Sequence, residues 1–498
     1  MATAYDALMT HVKDIGRLHA AVALLDWDQE TYMPANGVAA RADAIALLSG
    51  IAHERLVCDE VKALLAEADA PDGDHVAETN LRETLRNYHR AAKVPTALVK
   101  EIAHTSTLAK DAWAKARASA AFAKFAPLLG KMLALKQKPA ECVGYDTEPY
   151  DALLDEYEPG AKSAEIEKVF AELRDQTVAL LRRLTDAPNK PDASILTRHF
   201  PKAQQEVVCK RFADALHFDF ESGRADVSVH PFCTTIGGSG DVRITTRYWE
   251  DFLPAAMFGT MHETGHALYE QGLSRDHVFT PMGEAISLGI HESQSRMWEN
   301  QVGRSRAFWD HHWEPVKALF PDALGDVTLD AFYGAINTVS PSFIRVEADE
   351  LTYNLHIVLR FEIERELFDG RLDVADVPAR WNEKMKDVLG ITPPDDKVGC
   401  LQDIHWSMGA FGYFATYALG NLYAAQFYAQ ASRDIPDLTD RIRANDHEPL
   451  LGWLREHIHQ HGQRYRAGEL VERVTGKPLS IEPFMAYVTA KFSPIYGL

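Results

Sequence analysis

The stretch Met261-His262-Glu263-Thr264-Gly265-His266-Ala267-Leu268-Tyr269 decides how this chain is read. It carries H-E-x-x-H, the pattern by which a zinc hydrolase sets two imidazoles on one helix face. At about 100° per residue, His262 and His266 fall about 40° apart, so both can reach one metal ion. Glu263 falls about 100° round from His262, beside the ion, where a carboxylate can take a proton from metal-activated water without being a ligand. Phe252, Leu253, Met257, Phe258, Met261 and Leu268 give the surrounding helix an apolar surface on which the motif can be held.

Composition narrows the partners. The chain of 498 residues has 52 basic and 72 acidic residues, a net charge of −20, and no Lys/Arg run long enough to track a phosphate backbone. Nucleic acid is therefore not an expected partner. The start lacks a basic segment followed by an apolar one, and no uninterrupted apolar run of membrane-spanning length occurs, so a soluble, cytoplasmic protein without a membrane partner is expected. Cys58, Cys142, Cys209, Cys233 and Cys400 form no C-x-x-C pair, which fits a reducing compartment. Cys233 lies close to His230, but an inert thiol is the better reading than a Cys/His nucleophile.

Apolar residues at Tyr5, Leu8, Met9, Val12, Ile15, Leu18, Val22 and Leu25 keep the spacing of an amphipathic helix. Similar patterns recur at 42–56, 128–135, 166–184 and 202–216. Val-, Ile- and Thr-rich runs at 226–234 and 242–248, joined by Ile236-Gly237-Gly238-Ser239-Gly240, read as two strands and a hairpin turn. That glycine-rich turn lacks the Gly-Lys-Ser/Thr ending of a phosphate loop. From about residue 250 the pattern is helical again. The expected fold is mainly α, with an N-terminal helical lobe at 1–185 and a catalytic region at 186–498. The latter holds a small β-sheet at 226–248, metal-binding helices at about 250–303 and a helical C-terminal part. The segment 186–192, rich in Pro and Asp, reads equally as a linker or as a loop within one continuous domain.

Two histidines leave a catalytic zinc one protein ligand short. The extended metzincin pattern is excluded, because Tyr269 and Gly272 stand where it requires Gly and His. A glutamate on a following helix is the other common solution, and Glu292 in Gly289-Ile290-His291-Glu292-Ser293-Gln294 supplies one. Glu284, His291 and Glu299 lie close enough that spacing does not reject them.

His230-Pro231-Phe232, Asp241-Val242-Arg243-Ile244-Thr245, His262-Glu263-Thr264-Gly265-His266, His291-Glu292-Ser293-Gln294 and Leu401-Gln402-Asp403-Ile404-His405-Trp406 together resemble the ordered motifs of the carboxypeptidase Taq family. Asp26-Trp27-Asp28-Gln29-Glu30-Thr31 and the stretch from Tyr150 to Gly160 extend the resemblance almost end to end. It implies a metallocarboxypeptidase that releases single C-terminal residues from peptides with a free C-terminus, with broad specificity. It also implies a zincin-type helical body with a deep active-site groove, a small sheet at the groove wall, and a homodimer. One divalent metal per subunit, zinc or alternatively cobalt or manganese, would be held by His262, His266 and Glu292.

The same resemblance suggests roles further along the chain. Tyr413, rather than Tyr417, would donate to the oxyanion, and His405 would help hold the substrate or that oxyanion. Arg345 would grip the substrate carboxylate, as the fork of a guanidinium suits. An ion pair to Asp349 within its own helix is the competing reading of Arg345. His230 and Arg243 are candidate substrate-side residues, with support of the groove from the sheet as their other reading. The rival functions are a zinc oligopeptidase cutting inside peptides and a non-catalytic peptide-binding protein. An aminopeptidase is disfavoured because no Gly-x-Met-Glu-Asn element lies between Ala225 and Met261.

Overall fold

The computed structural model describes residues 3–498. Helix takes up 69% of the protein, and the one sheet among the described residues has three short strands, so the mainly α expectation holds. Among the described residues no helix is long and apolar enough to cross a membrane.

The helices gather into two compact units, and each is built from separated stretches of chain. The first takes the N-terminal segment through Ala91, Asp192–Ile336 and Tyr423–Pro478; the second takes Ala92–Pro191, Asn337–Leu422 and Leu479–Leu498. This corrects the sequential division into 1–185 and 186–498. The segment 186–192 is where the chain passes from the second unit back to the first. The physical reason is that partners for burial lie far apart in sequence. In the second unit, Tyr150 and Phe170 set their rings edge-on to Phe361, with centroids 5.7 and 5.2 Å away. Trp113 Nε1 there donates to the Leu401 carbonyl at 3.0 Å.

In the first unit the helix Ala4–Thr31 opens with a reciprocal cap. Thr3 Oγ1 accepts from the Asp6 N–H at 3.1 Å, and the Asp6 carboxylate accepts from the Thr3 N–H at 2.9 Å. Its apolar stripe buries Leu8, Met9, Ile15 and Trp27. The other expected helices appear as Val38–Leu56, Ala126–Val143, Ser163–Asp186 and Lys202–Ala215.

The sheet departs from the expected strand pair. Residues 226–234 are not one strand: β1 (Gly223–Val227) ends early and β2 (Cys233–Thr235) begins late, with β3 (Val242–Thr246) between them. β1 runs parallel to β3 and β2 antiparallel to it. Pro231 has no N–H to give a ladder, and Ser228 Oγ turns back to the His230 carbonyl at 2.7 Å, so the chain leaves one edge of β3 and returns on the other. The turn after β2 is the expected one, closed by Ile236 N donating to the Asp241 carbonyl at 2.9 Å. Val242 and Ile244 of β3 are buried against Ala213, Phe218 and Ala267, which seats the H-E-x-x-H helix on the sheet.

His312 shows how strongly this interior favours neutral imidazoles. Its ring lies 4.1 Å from that of Phe308, and burial holds its pKa down to about 3. An imidazole depressed on folding stabilises the native state fully above its unfolded pKa, and that contribution is lost as pH falls toward the folded value. The variant His312→Phe, which keeps the stacking, is expected to lose about 1.4 kcal/mol less stability than the parent between pH 7.5 and 5.5. Urea unfolding at both pH values measures this, and identical pH dependence in the two proteins contradicts it.

Candidate metal centre

The H-E-x-x-H stretch lies in the helix Leu253–Gly272, which has Pro254 in its first turn and buries most of its length. His262 and His266 present their Nε2 atoms to Glu292 Oε2, at 3.6 and 3.4 Å. Glu292 stands on the helix Leu288–Arg296, capped by Ser287 Oγ accepting from the Ile290 N–H at 3.1 Å. The three donor atoms all lie within 4.8 Å of one another. Ligands at zinc-like distances on a tetrahedron stand about 3.4 Å apart, so two nitrogens and a carboxylate oxygen at these separations fit one small divalent ion. Of the three competitors weighed from spacing, Glu299 and His291 instead support the histidines, and Glu284 is exposed on the connection between the two helices.

Gly265 makes the approach of the two helices possible. A Cβ there would stand 2.6 Å from Ser295 Cα and 2.7 Å from the Gln294 carbonyl oxygen. Gly259, on the same helix, has nothing within 4 Å of its Cβ position. Gly265→Ala is expected to destabilise the protein by about 1–3 kcal/mol and to weaken metal binding at least about 10-fold. Gly259→Ala is expected to be neutral or stabilising by up to about 1 kcal/mol. Competition with a chromophoric chelator reads the affinities, and equal values in the two variants would refute the argument.

Each histidine is oriented by what its other nitrogen meets. His262 Nδ1 lies 3.0 Å from Glu299 Oε2; a carboxylate only accepts, so Nδ1 carries the proton and Nε2 keeps its lone pair. His266 Nδ1 lies 2.5 Å from His291 Nδ1, whose Nε2 lies 2.7 Å from Glu270 Oε1. Glu270 must accept from His291, and His291 then accepts from His266, which again leaves His266 Nε2 unprotonated. Thr235 of β2 completes the chain, donating to Glu270 Oε2 at 2.8 Å. Sequence reasoning missed Glu270, although its place four residues after His266 puts it on the same helix face. Glu292 is held by Arg296 Nε at 2.6 Å and Ser295 Oγ at 3.0 Å. Arg296 Nη1 also donates to Glu299 at 3.2 Å; Glu299 lies on the π-helical turn Met297–Val302 that continues the helix.

The carboxylates are differentiated by these neighbours. Burial alone would raise the Glu292 carboxyl, but Arg296 and His262 hold it well below its ordinary value. Burial also pushes Glu299 upward, yet Arg296 and its hydrogen bond to His262 bring it down to about 2. Glu263 goes the other way: burial lifts it to about 7, opposed by His262 and reinforced by Glu292 and Glu299. Such a group accepts a proton readily near neutrality, as a general base must. Burial keeps His266 neutral, down to about 3.

The remaining site residues fall in the second unit, apart from His230 and Arg243. Arg345 starts a short 3-10 turn, Arg345–Glu347, rather than sitting within an α-helix, and its partner is not Asp349. Its Nε and Nη2 donate to Asp403 Oδ1 at 3.1 and 2.9 Å, and Nη1 donates to Tyr353 Oη at 2.8 Å. Asp349 instead accepts from the backbone N–H groups of Ser340, Leu351 and Thr352. Asp403 also takes Arg360 Nε at 2.8 Å, and although burial would raise its carboxyl, the two guanidinium groups hold it far below its ordinary range. The His405 ring lies 5.3 Å from that of Tyr413, and Tyr413 lies 5.3 Å from Tyr417. Burial brings His405 down to about 4. Asp403, which organises the arginines, was inside a quoted motif, but nothing in the sequence assigns its partners.

His230 lies outside the strands, exposed on the connection between β1 and β2. Arg243, on β3, places its fork on Asp241 at 2.8 and 2.9 Å and its guanidinium 4.3 Å from the Trp27 ring. Arg224 of β1 lies 5.1 Å from the same ring, so Trp27 ties the end of the helix Ala4–Thr31 to two strands.

Comparison with known proteins agrees with this arrangement. The family model for carboxypeptidase Taq (M32) metallopeptidases matches residues 7–492. Thermostable carboxypeptidase 1 of Thermus thermophilus is 44% identical, with 99% of each chain covered. Carboxypeptidase 1 of Bacillus subtilis is 40% identical over 98% of this chain and 97% of its own. The crystal structure of an M32 carboxypeptidase from Deinococcus radiodurans superposes with a TM-score of 0.96 at 38% identity, covering 99% of this chain and all of that one. From a full-length family match and relatives of this similarity, the chain belongs to the carboxypeptidase Taq family and is a metallocarboxypeptidase.

Proposed function

We propose that His262, His266 and Glu292 hold one divalent metal, zinc in preference to cobalt or manganese, and that Glu263 is the general base of C-terminal peptide hydrolysis. The observation that carries this is the convergence of three donor atoms within 4.8 Å, with both imidazole Nδ1 atoms engaged by protein partners. Two imidazoles and one carboxylate are a donor set that zinc favours and that cobalt and manganese also accept. Bound there, the ion supplies Lewis acidity toward the scissile carbonyl and toward a water. Glu263 takes the proton of that water and returns it to the leaving amine.

For the second unit the roles rest on family resemblance. Tyr413 donates to the oxyanion, assisted by His405. Arg345 receives the substrate carboxylate; three of its N–H groups are engaged, so one remains on each Nη. His230 and Arg243 act from the sheet, and the contacts of Arg243 support a bracing role for it. We further propose broad side-chain preference, a homodimer, and a cytoplasmic setting, the last in keeping with five free cysteines.

The test compares a peptide with a free C-terminus and the same peptide amidated, each with and without chelator. Stepwise release of single residues from the free form only, abolished by chelator, is the expected result. Equal cleavage of both forms would instead indicate an oligopeptidase.

A further inference from the structure

The helix Tyr353–Phe368 carries a carboxylate that neither the metal centre nor the substrate roles account for. Glu364 is fully buried and accepts three hydrogen bonds: from Tyr150 Oη at 2.7 Å and Gly412 N at 3.0 Å on Oε2, and from Trp406 Nε1 at 2.8 Å on Oε1. Two of those donors flank the residues already singled out, since Trp406 follows His405 and Gly412 precedes Tyr413. We propose that Glu364 is a positioning residue that fixes the segment from His405 to Tyr413, and so sets the orientation of both rings. This rests on the reading that His405 and Tyr413 act on the substrate.

Three features support a specific clamp over mere filling of space. The segment has two left-handed turns, at Gly409 and Gly412 with φ of +73° and +89°, so it needs outside contacts to select one conformation. At Gly412 the backbone lies so close to the helix Pro149–Leu154 that a Cβ would stand 2.8 Å from both Leu153 C and Leu154 N. That helix supplies Tyr150, the third donor to Glu364. Finally, Arg360, one turn before Glu364, donates to Asp403 at 2.8 Å, so one face of a single helix grips the same stretch of chain at two points. A carboxylate is required because all three partners donate, and a residue such as Gln would turn an N–H₂ group toward donors.

The experiment uses Glu364→Gln, Trp406→Phe, Tyr150→Phe and Tyr413→Phe, with rates on a free-C-terminus peptide normalised to folded, metal-loaded enzyme. Glu364→Gln and Trp406→Phe are expected to lower kcat about 10- to 50-fold with KM changed less than about threefold and metal content unchanged. Tyr150→Phe, which loosens the same carboxylate without touching the segment, is expected to change kcat less than about threefold. A role confined to stability would affect the three variants alike through the folded fraction and leave the normalised kcat unmoved. Wild-type kcat in both Glu364→Gln and Trp406→Phe, alongside an impaired Tyr413→Phe, would overturn the proposal. Should Glu364→Gln fail to fold, Trp406→Phe carries the same comparison. Wild-type kcat in Tyr413→Phe would overturn the underlying role of Tyr413, and the proposal with it.

Discussion

Replacing Glu263 with glutamine is expected to lower turnover by about 10³- to 10⁴-fold while leaving the bound metal in place. The substitution keeps shape and volume in a buried position but removes the oxygen that accepts a proton. Glu263 is outside the trio of converging donors, and the supports of that trio, Glu299, His291, Arg296 and Ser295, do not run through it. Metal content by elemental analysis and kcat on a C-terminally free peptide, taken on one sample, separate the two effects. His266→Ala is the informative contrast, since it should lose activity and metal together. Substantial activity in Glu263→Gln would remove Glu263 from the chemistry, and loss of metal in it would place it among the ligands.

The largest stability effect is expected at Asp403. Its carboxylate faces Arg345 and Arg360, the latter with no exposed surface, and both guanidinium groups depend on it for charge compensation. Asp403→Ala would leave two buried cations without a counter-charge, at an expected cost of about 3–5 kcal/mol. Asp403→Asn keeps hydrogen-bond acceptance on one oxygen but not the charge, and should fall between the alanine variant and the parent. Chemical denaturation followed by circular dichroism measures both. A cost below about 1 kcal/mol for Asp403→Ala would mean that the arginines find other partners or water. Because Arg345 is also the proposed receiver of the substrate carboxylate, the milder Asn variant should raise KM more than it lowers kcat, which checks that role independently.

Much of the site was legible because its chemistry is local. His262, Glu263 and His266 share one helical turn and a half, so a fixed angular period places them without knowledge of the rest of the protein. Glu292 was visible only as one of several carboxylates and imidazoles at comparable spacing, since no periodicity relates two different helices. The distance that singles it out, 3.4 Å to His266 Nε2, depends on Gly265 letting the helices meet. The expected single strand at 226–234 failed for a related reason. Its residue types suit a strand, but Pro231 and the inward turn of Ser228 decide where pairing stops, and β3 is needed to receive the two halves on opposite edges.

The sequence by itself determined a mainly helical metallocarboxypeptidase with a two-histidine motif and its base, because helical periodicity and a motif series read directly from residue order. Tertiary structure alone decided which groups complete and tune the site. The relay from His266 through His291 and Glu270 to Thr235, the sharing of Asp403 by two arginines, and the capture of Trp406 and Gly412 by Glu364 all join residues remote in sequence. Such pairings are set by how buried faces pack. Each polar group carried inside must then find a partner there, and that partner is fixed by packing in three dimensions rather than by spacing along the chain.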